Sequence, residues 1–198
     1  MLAAAILAAG ESSRMGQPKA LLPYQGVTFV EHLMEATKHP RIGVRKIILG
    51  AGAAEIRAKL HIDPECILVN EDWRRGPLTS MQTAIRYFTP AATEGLLVCP
   101  VDHPLISQYL ISLLIEKFDA CQKSIIIPTY EGRRGHPVIF RANLYQELLE
   151  ASLEVGARQV VWAHAEDVAH VPTEEEGVTL NLNKPDTLRQ AFGPAEES

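Results

Sequence analysis

The sequence predicts an α/β fold: a mostly parallel sheet with helices on both faces. Three observations carry this expectation. Apolar runs of strand length recur at 3–8, 46–50, 66–69, 95–99 and 124–127. Stretches with helical apolar spacing alternate with them over short connections. Several of the runs are apolar at consecutive rather than alternate positions, which suits strands covered on both faces.

Taken in order, residues 3–8 form a central strand that Gly10 breaks, and residues 20–23 are expected to be short and extended, with a turn at Gly26. Thr28 reads as the N-cap of a helix over 29–38, with Glu31 three residues on completing a capping box. Phe29, Val30, Leu33 and Met34 supply that helix's apolar face, and Pro40 closes it. Residues 46–50 are a second strand, 53–60 a helix and 66–69 a third strand ending at Asn70. A helix over 78–88 aligns Met81, Ala84, Ile85 and Phe88 on one stripe. The strand at 95–99 then runs into Pro100-Val101-Asp102-His103-Pro104. Ser107 is placed to cap a helix reaching Phe118, and 124–127 is the fifth strand.

The tail changes rhythm. A polar turn at 130–135 leads to a returning hairpin strand at 136–140 and a helix at 143–153. Residues 159–163 read as a short helix or strand, 168–171 and 178–180 as short strands, and Pro185 opens a last helix before a frayed end at 193–198. No internal repeat or Pro-, Gly- or Ser-rich linker divides the chain, so 1–198 is expected to be a single domain.

At 198 residues the chain can bury a sizeable core, and its 46% apolar and 22% charged content is ordinary for a globular protein. A formal net charge of −5 argues against a nucleic-acid partner or a basic membrane-surface role. A negative protein that binds a polyanion must concentrate its cations locally. Cys66, Cys99 and Cys121 are scattered, odd in number and without a C-x-x-C pair, which reads as free, buried thiols in a reducing cytoplasm. The apolar start has no basic region before it, and no run approaches the ~18–20 residues of a membrane span. A cytoplasmic location without a membrane partner is expected.

The chemistry concentrates where strands end. After the first strand, a loop of small and polar residues carries Arg14 and Lys19, an arrangement that lets backbone N–H groups and two cations hold a triphosphate. Polar clusters at 9–19, 70–76, 102–103 and 181–183 all lie after apolar runs, so they are expected to converge on one crevice at the carboxyl ends of the strands. Asp102, between Pro100 and Pro104, is a candidate Mg²⁺ ligand, since this cation takes one or two carboxylates and completes its shell with phosphate and water. The bland alternative is an Asp that starts a turn. His103 reads as a packing residue, because Mg²⁺ disfavours imidazole.

Gly76-Pro77-Leu78-Thr79-Ser80 opens a helix where a base or sugar can approach the backbone, or is a simple helix cap. Trp73 beside Arg74 and Arg75 raises a stacking platform for nucleic acid, against which an acidic chain favours a solvated loop. The turn 132–137, with Arg133, Arg134 and His136, is either an exposed hairpin tip or a clamp on a second anionic substrate. Residues 174–176 read as a solvated acidic loop. The absence of G-x-x-x-x-G-K-[ST], G-x-G-x-x-G and G-x-S-x-G disfavours a P-loop NTPase, a dinucleotide dehydrogenase and an α/β-hydrolase.

Leu7-Ala8-Ala9-Gly10, Ser12, Arg14-Met15-Gly16, Pro18-Lys19 and Leu22-Pro23 resemble the signature of the molybdenum-cofactor nucleotidyltransferases, the MobA-like NTP transferases. Residues 98–105, Gly135-His136-Pro137 and 181–186 match further blocks in the family's order, so the resemblance spans almost the whole chain. It looks most like the cytidylyltransferase branch, which carries Ala-Ala-Gly and Gly-His-Pro; the guanylyltransferase branch usually shows Ala-Gly-Gly, which Ala9 does not match. Two departures stand out: 153–158 lacks the branch's Gly-Asp, and Asn181-Leu182-Asn183 replaces its Asp-x-Asp.

The resemblance implies a Rossmann-like fold of the nucleotide-diphospho-sugar transferase type. It implies transfer of a nucleotidyl group, CMP from CTP favoured, to a phosphate-bearing acceptor such as molybdopterin, with Mg²⁺ and release of pyrophosphate. A GTP-using guanylyltransferase, a sugar-phosphate nucleotidyltransferase and a non-catalytic nucleotide-binding protein are the alternatives. Arg14, Lys19 and Asp102 would be catalytic. Leu7, Ala8, Ala9, Gly10 and Ser12, with Asn70, Gly76 and Ser80, would join Arg14 and Lys19 around the nucleotide. Arg134, Gly135, His136 and Pro137 would face the acceptor, and Asn181 or Asn183 would join Asp102 at the metal. Residues 1–105 would mainly bind the NTP and 106–198 mainly the acceptor.

Overall fold

Strand β1 (Leu2–Ala8) runs through the middle of the sheet, parallel to β4 (Ile42–Leu49) on one side and to β6 (Gly95–Pro100) on the other. Its seven small or aliphatic residues, all but Leu7 buried, leave no face for water. The computed structural model describes residues 1–12, 16–183 and 187. Strand β5 (Ile67–Val69) extends the sheet in parallel beyond β4. Beyond β6 lie β9 (Val138–Arg141), β7 (Ile125–Tyr130) and β10 (Val168–Pro172), while the short β8 (Arg133–Arg134) pairs with β7. Within this sheet, among the described residues, β8 and β9 are the strands that run antiparallel to all their neighbours.

Helices cover both faces, and β1 shows why. Its Leu2, Ala4, Ile6 and Ala8 join α1 (Phe29–Ala36), α2 (Ala53–Lys59) and α4 (Gln108–Ala120) in one apolar cluster. Ala3 and Ala5 point the opposite way, to α3 (Pro77–Phe88), α5 (Tyr145–Glu150) and α6 (Arg158–Ala163). No helix among the described residues is long and apolar enough to cross a membrane. The three cysteines are free; Cys99 is buried, which pushes its thiol up, and Cys66 and Cys121 are half-buried.

Several expectations change in detail. Residues 20–23 are not simply extended: amides of Leu21 and Leu22 bond back to the carbonyls of Pro18 and Lys19, making a 3-10 turn before the small hairpin of β2 (Pro23–Tyr24) and β3 (Val27–Thr28). The expected hairpin strand is β9, and it pairs with β6 as well as β7, so it is inserted into the sheet. The helix expected at 143–153 is shorter, a 3-10 turn over Ala142–Leu144 followed by α5, and 159–163 is helical. Residues 178–180 form no strand. A 3-10 turn over Glu176–Val178 lies there instead: Thr179 N–H donates back to the Glu176 carbonyl at 2.9 Å, which takes it from a strand partner, and Gly177 presses against Leu105, where a β-carbon would come within 1.8 Å of the carbonyl oxygen. The helix expected from Pro185 and the end at 193–198 lie outside the described residues.

The capping box of α1 is present in full. Glu31 N–H donates to Thr28 Oγ1 at 3.3 Å, and Thr28 N–H donates to Glu31 Oε2 at 2.8 Å. The other carboxylate oxygen accepts from His61 N–H at 3.1 Å, which ties the segment after α2 to α1. Burial alone would raise the Glu31 pKa; these bonds outweigh it and hold the carboxyl below its ordinary value. Thr28→Ala is expected to cost about 1 kcal/mol and to lower Tm by roughly 2–4 °C. Calorimetry checks this, and an unchanged Tm would mean that the box does not contribute.

Candidate active site

The chain moves outward from β1 through β4 to β5 and then crosses back to β6 on the other side of β1. Where strand order reverses in this way, the loops at the carboxyl ends part and leave a crevice. A cavity of about 370 Å³ lies there. Leu7, Ala9, Gly10, Glu11, Ser12 and Lys19 form one wall, Trp73, Arg74, Gly76, Pro77 and Ser80 a second, and Pro100, Val101 and Asp102 a third.

The loop after β1 is stitched to both neighbouring strands. Val101 N–H donates to the Leu7 carbonyl and Ala51 N–H to the Ala9 carbonyl, each at 3.0 Å. Lys19 N–H donates to Ser12 Oγ at 3.0 Å, folding the loop back so that both residues reach the cavity. The side chain of Ala8 turns into the core. Arg14 lies outside the described residues.

Asn70 does not line the cavity. It is 2% exposed, and its amide donates to Thr79 Oγ1 at 2.8 Å and Ser80 Oγ at 3.0 Å while its oxygen accepts from Asp72 N–H at 3.0 Å. It therefore holds the start of α3 against the end of β5 and fixes the Ser80 hydroxyl in the cavity wall. Gly76 precedes α3 at φ 114°, ψ 168°, a conformation that L side chains rarely adopt, and so brings the helix N-terminus to the cavity.

The fourth expected cluster joins through hydrogen bonds. Asn183 Oδ1 accepts from Lys19 Nζ, Asn181 Nδ2 donates to Asp102 Oδ2 at 2.8 Å, and Leu182 N–H donates to the Asp102 carbonyl at 2.8 Å. The asparagines thus brace the lysine and the aspartate. Among the described residues no group of three or more His, Cys, Asp or Glu side chains is placed to hold a metal. The donor set still fits a hard cation: the Asp102 carboxylate borders the cavity, and Mg²⁺ is ordinarily held by one or two carboxylates plus substrate phosphates.

Arg134, Gly135, His136 and Pro137 stand outside the cavity wall. Arg134 is exposed and its Nε donates to His170 Nε2 at 2.9 Å. The rest of the turn is packed inward: His136 N–H donates to the Val178 carbonyl at 2.8 Å, and a β-carbon on Gly135 would lie 2.3 Å from that oxygen. The His136 ring stands 4.7 Å from that of His103, which follows Asp102. Burial and then His103 push the His136 pKa down to about 4, against the pull of Asp102. Burial also lowers His103, opposed by Asp102 and the backbone at Val178 and Gly177.

Sequence reasoning missed one part of this region. Glu175 is not a solvated acid: its carboxylate accepts from Ser107 N–H at 3.1 Å and Ser107 Oγ at 2.5 Å, beside the start of α4. Trp73 and Arg74, within the 70–76 cluster expected at the crevice, line the cavity, and Arg74 is also exposed to solvent.

Fold and cavity together define an α/β protein of the nucleotidyltransferase type, its site at the strand-order reversal. The chain belongs to the family of MobA-like NTP transferase domains, whose model matches residues 4–168. It is 32% identical over 169 residues to a nicotine blue oxidoreductase of Paenarthrobacter nicotinovorans, covering 79% of this chain and 81% of the relative. It is 26% identical over 201 residues to a molybdenum cofactor guanylyltransferase of Shewanella sp. strain ANA-3, covering 98% and 97%. A crystal structure of Rv0371c from Mycobacterium tuberculosis H37Rv superposes with a TM-score of 0.82 at 25% identity over 98% of this chain and 99% of that one. A second structure of that protein, in complex with manganese, gives 0.73 at 24% over 96% of both chains.

The histidine pair has a consequence for stability. A histidine in the unfolded chain titrates near 6.5, and folded His136 near 4. Its contribution is therefore complete above the unfolded value and is lost as pH falls through the folded one, amounting to roughly 3 kcal/mol. His136→Gln is expected to flatten the stability–pH curve across this window, as read from urea midpoints. Parallel curves for both proteins would rule out His136 as the titrating group.

Proposed function

We propose that this chain transfers CMP from CTP to a terminal phosphate of a molybdopterin-like acceptor in the cytoplasm, with a divalent cation, Mg²⁺ first, and release of pyrophosphate. The observation that carries the reading is the convergence of the Ala9–Lys19 loop, the start of α3 and Asp102 on one cavity. The acceptor follows the relatives named molybdenum cofactor guanylyltransferases, and the cation follows the manganese complex of the structural neighbour. The base follows the cavity wall: the Ala9 methyl stands where the guanylyl branch usually has glycine, which favours a one-ring base over guanine, and the Ser80 hydroxyl, braced by Asn70, offers a donor to it.

In this reading residues 1–105 mainly hold the donor and 106–198 the acceptor. An acceptor phosphate oxygen attacks the α-phosphorus, and the bond to the β-phosphate breaks with its electrons leaving on pyrophosphate. A phosphate is already a competent nucleophile, so positioning and charge do the work. Holding both reactants in line supplies on the order of 7–11 kcal/mol of the barrier. Lys19, with Arg14, neutralises the leaving pyrophosphate; Asn183 keeps the ammonium of Lys19 at the loop. Asp102, oriented by Asn181, would hold the cation, which supplies Lewis-acid stabilisation of the triphosphate oxygens. Gly135-His136-Pro137, tied to Asp102 through His103, would shape the acceptor side.

Pyrophosphate release is measured with each of the four common triphosphates, with and without molybdopterin. CTP with molybdopterin is expected to be fastest, and Asp102→Asn to lower kcat by about 10²-fold or more with the fold unchanged. Preference for GTP would assign the guanylyl reaction. Turnover of nicotine blue without pyrophosphate release would replace this reading with the chemistry named for the Paenarthrobacter relative.

A further inference from the structure

Trp73 and Arg74 line the cavity from the loop between β5 and α3, and nothing in the proposed transfer uses them. Three observations set the pair apart from a solvated loop. A β-carbon on Gly50 would lie 2.6 Å from Trp73 Cβ and 2.7 Å from the Ala9 carbonyl oxygen, so glycine there seats the tryptophan against the loop that leaves β1. The Arg74 guanidinium stacks on the indole, 4.3 Å from its ring centroid. Arg75 is paired with Asp72 at 3.6 Å and does not line the cavity, whereas Arg74 makes no ion pair among the described residues.

We infer that Trp73 is a positioning residue and Arg74 a specificity residue for the nucleobase of the donor nucleotide. The inference rests on the nucleotidyltransferase reading above. Arg74 comes to the cavity on the same chain segment as Gly76 and Ser80, while Lys19 and Asp102, the charges suited to phosphate and metal, come from the segments after β1 and β6. A guanidinium lying over an indole offers its fork of N–H donors, which matches two adjacent acceptors on a base edge. Cytosine offers such a pair in O2 and N3. Uracil carries a hydrogen on N3 and would set donor against donor, so this contact also selects CTP over UTP.

The chain has two tryptophans, and Trp162 is 63% exposed on α6, away from the cavity lining. Trp162→Phe therefore isolates the emission of Trp73 in the full chain. CTP, CDP and CMP are each expected to change that emission saturably. Arg74→Ala is expected to weaken all three by a common factor of about tenfold and to erase the preference over UTP. Arg74 is exposed, so this variant leaves the packing intact. With affinity read by equilibrium dialysis, Trp73→Leu should match Arg74→Ala, and Trp73→Phe, which keeps an aromatic face, should recover most of the affinity. Lys19→Ala serves as the contrast, its loss growing with the number of phosphates. An Arg74→Ala loss that likewise grows with phosphate number, or binding of CTP by dialysis with neither an emission change nor an Arg74 effect, would overturn the assignment. Failure of all four triphosphates to bind would overturn the underlying functional reading, and this inference with it.

Discussion

The site depends on where β1 ends. Its last carbonyls are not left to solvent: Leu7 accepts from Val101, and Ala9, just beyond the strand, accepts from Ala51. These two bonds hold the loop that leaves β1 to the segments following β4 and β6. A parallel strand covered on both faces has little freedom to shift, because a slip by one residue would exchange its two apolar faces. The loop therefore inherits its position from the packing of Leu2, Ala4, Ile6 and Ala8 on one side and Ala3 and Ala5 on the other.

Around that fixed loop, the other walls are held by polar bonds. Asn70 joins β5 to α3, the Asn181 and Asn183 amides brace Asp102 and Lys19, and Glu175 secures the segment before them to Ser107. Such bonds are worth about 1 kcal/mol each in net stability. Their larger effect is positional: the Asn70, Asn181 and Asn183 bonds each fix a group that borders the cavity, Ser80, Asp102 and Lys19. The neutral His103–His136 pair is also consistent with this: it links the Gly135-His136-Pro137 turn to the segment of Asp102 without placing a cation beside that carboxylate.

The mostly parallel sheet was legible because consecutive apolar residues and short connections leave few arrangements. The capping box at Thr28 and the convergence of the 9–19, 70–76 and 102–103 clusters were legible for the same local reasons. What escaped was long-range. That Glu175 would meet Ser107, 68 positions earlier, depends on all the chain between them, and nothing in three consecutive glutamates signals it. The insertion of β9 beside β6 was likewise hidden, because a hairpin signal specifies the partner next in sequence and not the second edge the strand will find. Asn70 was placed correctly after its strand, but whether a polar side chain faces a cavity or a helix turn is settled by packing.

The reversed strand β9 also bears on synthesis. Strands β1, β4, β5 and β6 can assemble from residues 2–100, and that unit carries every residue of the cavity wall except Val101 and Asp102. At that stage β6 is an open edge of almost uniformly apolar residues, with its outer N–H and C=O groups unpaired. Such an edge is a template for another chain until it is covered. It is closed only when residues 138–141 emerge and pair with it, more than forty residues later. The Gly135-His136-Pro137 turn immediately precedes that pairing, so the same event that seals the aggregation-prone edge also brings His136 against His103.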